Sequence, residues 1–240
     1  MRLTDFKALT FDCYGTLIDW ETGIATALQR VVRAHGIEAT DRQLVDAFGR
    51  HEHVVEEESF RVYRDVLAET LVRLVADFGT IPTLAERQAF SASVGDWPAF
   101  PDSADALARL AWHYKLIIVS NVHRAGFAGS NRQLRGDFAA IITAEDVGAY
   151  KPAENHFRAL DARLPALGVD RRALLHVAQS LFHDHVPAKR EGLPSVWINR
   201  RHDRPGRGAT PEPTDAWAFA AEFTSMAGFA DAVDAAFAGT

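Results

Sequence analysis

The chain has 240 residues, 48% of them hydrophobic and 24% charged, a composition that fits a globular protein able to bury its own core. Its formal charge of −6 provides no basic field for nucleic acid or an anionic membrane, so an anionic substrate has to be held by a few local groups. Cys13 is the only cysteine, which excludes an internal disulfide and a cysteine-based zinc cluster.

In chain order, residues 1–7 carry charges and lack the cationic head and long apolar run of a signal peptide. No later segment has the uninterrupted apolar length of a membrane span, so a soluble, cytoplasmic protein is expected. Residues 8–13 (ALTFDC) read as a first strand. Residues 18–97 have helical periodicity almost throughout, as in Ile24-Leu28-Val31-Val32 and Val66-Thr70-Leu71-Leu74-Val75, and Pro82-Thr83 marks another helix start. This is too much helix for one crossover. We therefore expect a helical cap domain over residues 18–97, inserted into a core made of residues 1–17 and 98–240. Glu56-Glu57-Glu58 is expected on a solvated helix face.

A helix follows at 103–112, then strands at 116–120 (LIIVS) and 140–143 (AIIT), a helix at 154–167, a strand at 174–178 (LLHVA), a helix at 185–192 and a strand at 195–199 (SVWIN). The strands are continuously apolar rather than alternating, which implies burial on both faces. The fold class expected is α/β, a doubly wound (Rossmann-like) parallel sheet. Residues 200–213 read as a loop before a last helix at 227–237.

In such a sheet the ligand lies outside the carboxyl ends of the strands. There stand Asp12-Cys13-Tyr14-Gly15-Thr16-Leu17, then Ser120-Asn121, then Tyr150-Lys151-Pro152, then Gln179-Ser180-Leu181-Phe182-His183-Asp184. Two carboxylates, a lysine, a hydroxyl and an amide converge, as a nucleophile beside anion-binding groups would require. His183-Asp184-His185 lacks a third metal ligand at a recognisable spacing, so no metal is assigned. Both histidines are taken as partly buried structural groups. Cys13 is taken as packing, and Tyr14 and Trp20 as either pocket lining or core.

DCYGTL, SN, YKP and a late Asp, in this order and between these strands, resemble the four motifs of the haloacid dehalogenase superfamily, and the insertion lies where that family carries its cap. The resemblance implies that Asp12 attacks an electrophilic centre to give an ester that water hydrolyses. Family phosphatases place an acid two residues after the nucleophile; here it is Tyr14. An alkoxide leaving group needs a proton and a halide does not, so the sequence is similar to the type II 2-haloacid dehalogenases, which form 2-hydroxy acids. The alternative is a phosphatase of the same superfamily, which would need Mg2+; the dehalogenases need no cofactor.

By the resemblance, Lys151 balances and orients Asp12, and Asp184 positions Lys151 or the hydrolytic water. Thr16 supports the Asp12 loop, Ser120 and Asn121 bind a small anionic substrate, and Arg50 is the best-placed cap arginine. A homodimer is consistent with the family, and neither nucleic acid nor a membrane is expected as a partner. The fourth motif departs from the dehalogenase pattern: Gln179 and Leu181 replace its Ser and Asn, with Ser180 adjacent as a substitute. Phe157 stands where the family usually has a tyrosine.

Overall fold

The computed structural model describes residues 1–204, 208–213 and 215–239. Six parallel strands, β1 Ala8–Phe11, β2 Lys115–Ser120, β3 Phe138–Thr143, β4 Leu174–Ala178, β5 Ser195–Ile198 and β6 Ala221–Phe223, form one sheet in the order β3-β2-β1-β4-β5-β6. The strand order reverses beside β1, so the ends of β1, β2 and β4 open on a shared crevice. β1, β2 and β4 are buried almost throughout, in keeping with their continuous apolar runs. β6 has only three residues at the sheet edge, too short to announce itself in sequence.

Four helices occupy the insertion: α1 Trp20–Ala34, α2 Asp41–Glu58, α3 Tyr63–Ala76 and α4 Leu84–Ala92. Thr40 and Thr83 start α2 and α4 through reciprocal capping with Gln43 and Glu86. The apolar stripes join the core: Ile24, Leu28, Val31 and Val32 of α1, and Val66, Leu67, Leu71, Leu74 and Val75 of α3, are all buried. The same buried cluster takes in Leu107 and Leu110 of α5 Ser103–Leu110 and Phe229 and Val233 of α10 Met226–Ala238, which pack with Leu9, Phe11, Leu116 and Leu175 on one face of the sheet. On the other face, Phe157, Leu160 and Leu164 of α8 Asn155–Leu167 pack on Ile117, Val119 and Leu174.

Between β2 and β3 lies α6 Arg124–Leu134, the helix following Ser120-Asn121, whose bounds the sequence alone does not give. Its Gly129 lets the chain returning from the insertion cross closely: a Cβ there would lie 2.5 Å from the Cα of Gly95. Two short helices, α7 Ala144–Val147 and α9 Val186–Arg190, complete the core. Residues 205–207 of the expected loop at 200–213 lie outside the described residues. Among the described residues no helix is long and apolar enough to cross a membrane.

Candidate active site

A small cavity lies between the strand ends and the helical insertion. Its floor comes from the core, with Asp12, Tyr14, Ser120, Asn121, Lys151, Ser180, His183 and Asp184; its roof comes from the insertion, with Trp20, Glu52, Glu56 and Tyr63.

Asp12 follows β1 directly, and its backbone N–H still donates to Val177 of β4. Gly15 then adopts φ +88°, a left-handed conformation, and the chain turns back so that the N–H groups of Leu17 and Ile18 reach the carbonyl of Cys13. This turn brings the Thr16 hydroxyl to Asp12 Oδ2 at 2.7 Å. Thr16 in turn accepts from the Gln179 N–H at 2.9 Å, joining the first and fourth motifs. Thr16 is fully buried behind Asp12 and does not line the cavity, so its place is that of a support rather than a substrate contact.

Lys151 is 1% exposed and all three of its ammonium protons are used: Nζ donates to Asp12 Oδ1 at 2.9 Å, to Asp184 Oδ1 at 2.7 Å and to the Val119 carbonyl at 2.9 Å. Burial opposes its charge, but the two carboxylates outweigh burial and keep it protonated above its ordinary range. Asp184 sits on a single wide helical turn, Leu181–His185, and also accepts from His176 Nε2 at 3.0 Å. Burial works against its ionised form; Lys151 and His176 prevail and hold its carboxyl well below the usual range. Asp12 is different. Desolvation is its largest influence, and its carboxyl lies above the ordinary value despite Lys151 and Thr16.

His176 was not singled out in the sequence. It is fully buried in β4, with Nδ1 2.8 Å from Thr10 Oγ1 and Nε2 on Asp184. A histidine inside the apolar run LLHVA is the signal that could have drawn attention to it. Phe157 packs edge-on against its ring.

The Asn121 side chain is committed elsewhere than expected. Its Oδ1 accepts from the Lys151 N–H at 2.7 Å and its Nδ2 donates to the Lys151 carbonyl at 3.2 Å, so the amide clamps the backbone that presents Lys151. Ser120 Oγ is fully buried, lines the cavity and has no hydrogen-bond partner among the described residues; Asp184 Oδ2 is in the same state. Ser180 starts the wide turn by accepting from the His183 N–H at 2.9 Å. Tyr14 lines the cavity with its hydroxyl 2.8 Å from Ser130 Oγ on α6, and burial pushes the phenol well above its usual value. Cys13 is buried on the far side of the turn as packing.

Two expectations need correction. Arg50 does not reach the cavity: its side chain is 65% exposed and lies 3.9 Å from Asp77 on the outer surface of the insertion. Glu57 and Glu58 are exposed as expected, but Glu56 points inward, into the cavity roof. One helical turn earlier Glu52 is also buried, at 6% exposure, and accepts from the Tyr63 hydroxyl at 2.5 Å. Burial raises Glu52 to about 7, and raises Glu56 well above the carboxyl range, with Glu52 adding to the effect. The two histidines beside Asp184 part company: His183 lines the cavity, neutral because desolvation pushes it down to about 4, while His185 is buried between Ser195 Oγ and the Ala178 carbonyl.

Among the described residues no three His, Cys, Asp or Glu side chains are grouped to hold a metal, and the Lys151 ammonium lies between Asp12 Oδ1 and Asp184 Oδ1.

Solved structures of similar shape include an L-2-haloacid dehalogenase from Xanthobacter autotrophicus (19% identity, TM-score 0.78, covering 95% of this chain and 98% of that one). A defluorinating L-2-haloacid dehalogenase (20%, TM-score 0.79, 95% of each chain) is also similar. So is the putative hydrolase YfnB of Bacillus subtilis bound to magnesium (19%, TM-score 0.76, 95% and 99%). At these identities the likeness establishes the fold alone. No curated protein matches the sequence. A family model for haloacid dehalogenase-like hydrolases matches residues 6–178, from the start of β1 through β4, and so takes in Asp12, Lys151 and the whole insertion. On the strength of that match, the chain belongs to the haloacid dehalogenase-like hydrolases.

Proposed function

We propose that the protein hydrolyses a carbon–halogen bond of a small 2-haloacid, with Asp12 as nucleophile and a 2-hydroxy acid as product. The observation that carries this reading is the Asp12–Lys151–Asp184 constellation with Tyr14, rather than an acid, two residues after the nucleophile. A carboxylate oxygen of Asp12 attacks carbon 2, the new C–O bond forms, and the halide departs with the bonding pair. Halide needs no proton to leave, so Tyr14, whose phenol is buried and held by Ser130, is no obstacle. Thr16 and Lys151 hold one oxygen of Asp12 each and fix the direction of attack.

Water then adds to the carboxyl carbon of the Asp12 ester. Lys151 Nζ is the cation beside the oxyanion that develops there. Asp184 Oδ2, buried and unpartnered, is the acceptor available to orient the water. Cleavage of the acyl C–O bond releases the alcohol with an oxygen that came from Asp12. The insertion, as the cavity roof, excludes bulk water from these steps.

The test is halide release from a panel of 2-haloacids with and without a chelator. Chloride release that persists in chelator, with little phosphate release from monoesters, is the expected result. Magnesium-dependent phosphate release without any halide release would replace this reading with the phosphatase one.

A further inference from the structure

The roof of the cavity raises a question of charge that the reaction does not answer. Asp12 and Asp184 share one ammonium whose three protons are all engaged. His183 is neutral, and Arg50 faces solvent. Among the described residues no further cation lining the cavity is left to meet a second anion. Above the floor stand two more carboxyls on one face of α2, four residues apart. Glu52 has a single partner, the Tyr63 hydroxyl, on one oxygen. Glu56 has no hydrogen bond or ion pair among the described residues.

Two further observations point to a ligand. Ser120 Oγ, fully buried and unpartnered among the described residues, lines the same cavity and is placed to meet a polar atom of a bound molecule. Glu56 and His183 also border a second recess, in which Glu57, 3.3 Å from His53 Nε2, adds another carboxylate and Phe60, Tyr150 and Phe182 add aromatic surface. Carboxylates with aromatic rings around them are the surroundings that stabilise an ammonium group, by charge-assisted hydrogen bonds and by the ring quadrupole.

We propose that the substrate is zwitterionic: a 2-haloacid whose far end carries an ammonium group, held by Glu56 with Glu52 beside it, while its carboxylate faces Ser120 and Asp12 attacks carbon 2. This rests on the Asp12 displacement reading for its chemistry, but its charge argument stands on the roof alone. When the ammonium is absent, burial favours protonated roof carboxyls; its arrival exchanges a proton for a fixed cation and leaves the buried carboxylates paired.

Two substrates of nearly equal shape decide the matter: 2-chloro-4-aminobutanoate and 2-chloropentanoate, which differ by an ammonium in place of a methyl. The wild type is expected to release chloride from the former with a kcat/KM at least about tenfold higher, the scale of one desolvated charge pair. Glu56→Gln should remove that preference by lowering the ammonium substrate and leaving 2-chloropentanoate equal or better. A merely structural role for Glu56 would lower both substrates together, and that result, or a wild-type preference for 2-chloropentanoate, overturns the proposal. Calorimetric titration with halogen-free 4-aminobutanoate and pentanoate separates recognition from chemistry. Tighter binding of 4-aminobutanoate that Glu56→Gln abolishes upholds the cation site even if no halide is ever released, in which case only the dehalogenase reading falls. Equal or absent binding of the two overturns the cation site whatever the halide assay gives.

Discussion

On the floor of the cavity Asp12, Lys151 and Asp184 are each nearly or fully buried, and each charge is met by another within 2.9 Å. On the roof Glu52 and Glu56 are buried or half-buried, and their only hydrogen-bond partner among the described residues is a neutral phenol. Both regions remove carboxyl groups from water, yet the outcomes are opposite: Asp184 is driven down and kept ionised, while Glu52 is driven up to about 7. The difference lies in the cation. A desolvated carboxylate without one reverts toward its neutral form, whereas Asp184, held by both Lys151 and His176, stays charged. The floor supplies its own cation and is suited to chemistry, with Ser120 Oγ and Asp184 Oδ2 left unpartnered among the described residues. The roof is incomplete without a ligand and suited to choosing one.

The largest effect expected from breaking this contrast is at Lys151. Replacing it with methionine keeps the bulk and leaves Asp12 and Asp184 facing each other with no cation between them. Stability in urea unfolding should fall by about 3–5 kcal/mol, and halide release should disappear with it. A variant that unfolds at the wild-type urea concentration would mean that the floor does not depend on its central charge.

A smaller effect of opposite sign is expected at Glu52. Its folded-state value of about 7 lies above the ordinary 4.5, so between those values the folded protein keeps a proton that the unfolded chain has released. Stability therefore falls as pH rises through that window, by roughly 3 kcal/mol for this group. Glu52→Gln retains an acceptor for the Tyr63 hydroxyl and removes the titration. At pH 8 the variant should be more stable than wild type, and its stability should decline less between pH 5 and pH 8. Thermal unfolding across that range checks it; parallel curves for the two proteins would show that the roof carboxyl is not desolvated in the way described.

The contrast between floor and roof also divides what could be read in the sequence. The sheet was legible because its strands are continuously apolar, and β4 at 174–178 falls where the run LLHVA does. The floor was legible because its residues follow strand ends directly, where topology rather than side-chain packing fixes their position. The bounds of α6 were not legible, since its glycines serve the crossing at Gly95 and dilute the helical pattern. The roof was hidden for another reason. Glu56 stands beside two exposed glutamates and looked like part of a solvated run, and the turn of α2 that aims it inward is set by tertiary packing. Glu52 did leave a trace, standing one step along the buried row Leu44–Phe48 at helical spacing, where an apolar residue is normal. Arg50, two residues before it, falls on the outer face, where proximity in sequence to the cavity has no bearing on reach.

The most direct test of the account is a single turnover of 2-chloropropionate by excess enzyme in ¹⁸O-labelled water, with mass spectrometry of both the lactate and the Asp12 peptide. Attack by Asp12 predicts label in the Asp12 carboxylate and an unlabelled product hydroxyl. Label in the lactate during that first turnover, with none in the protein, would show that water attacks the substrate directly and that Asp12 is not the nucleophile.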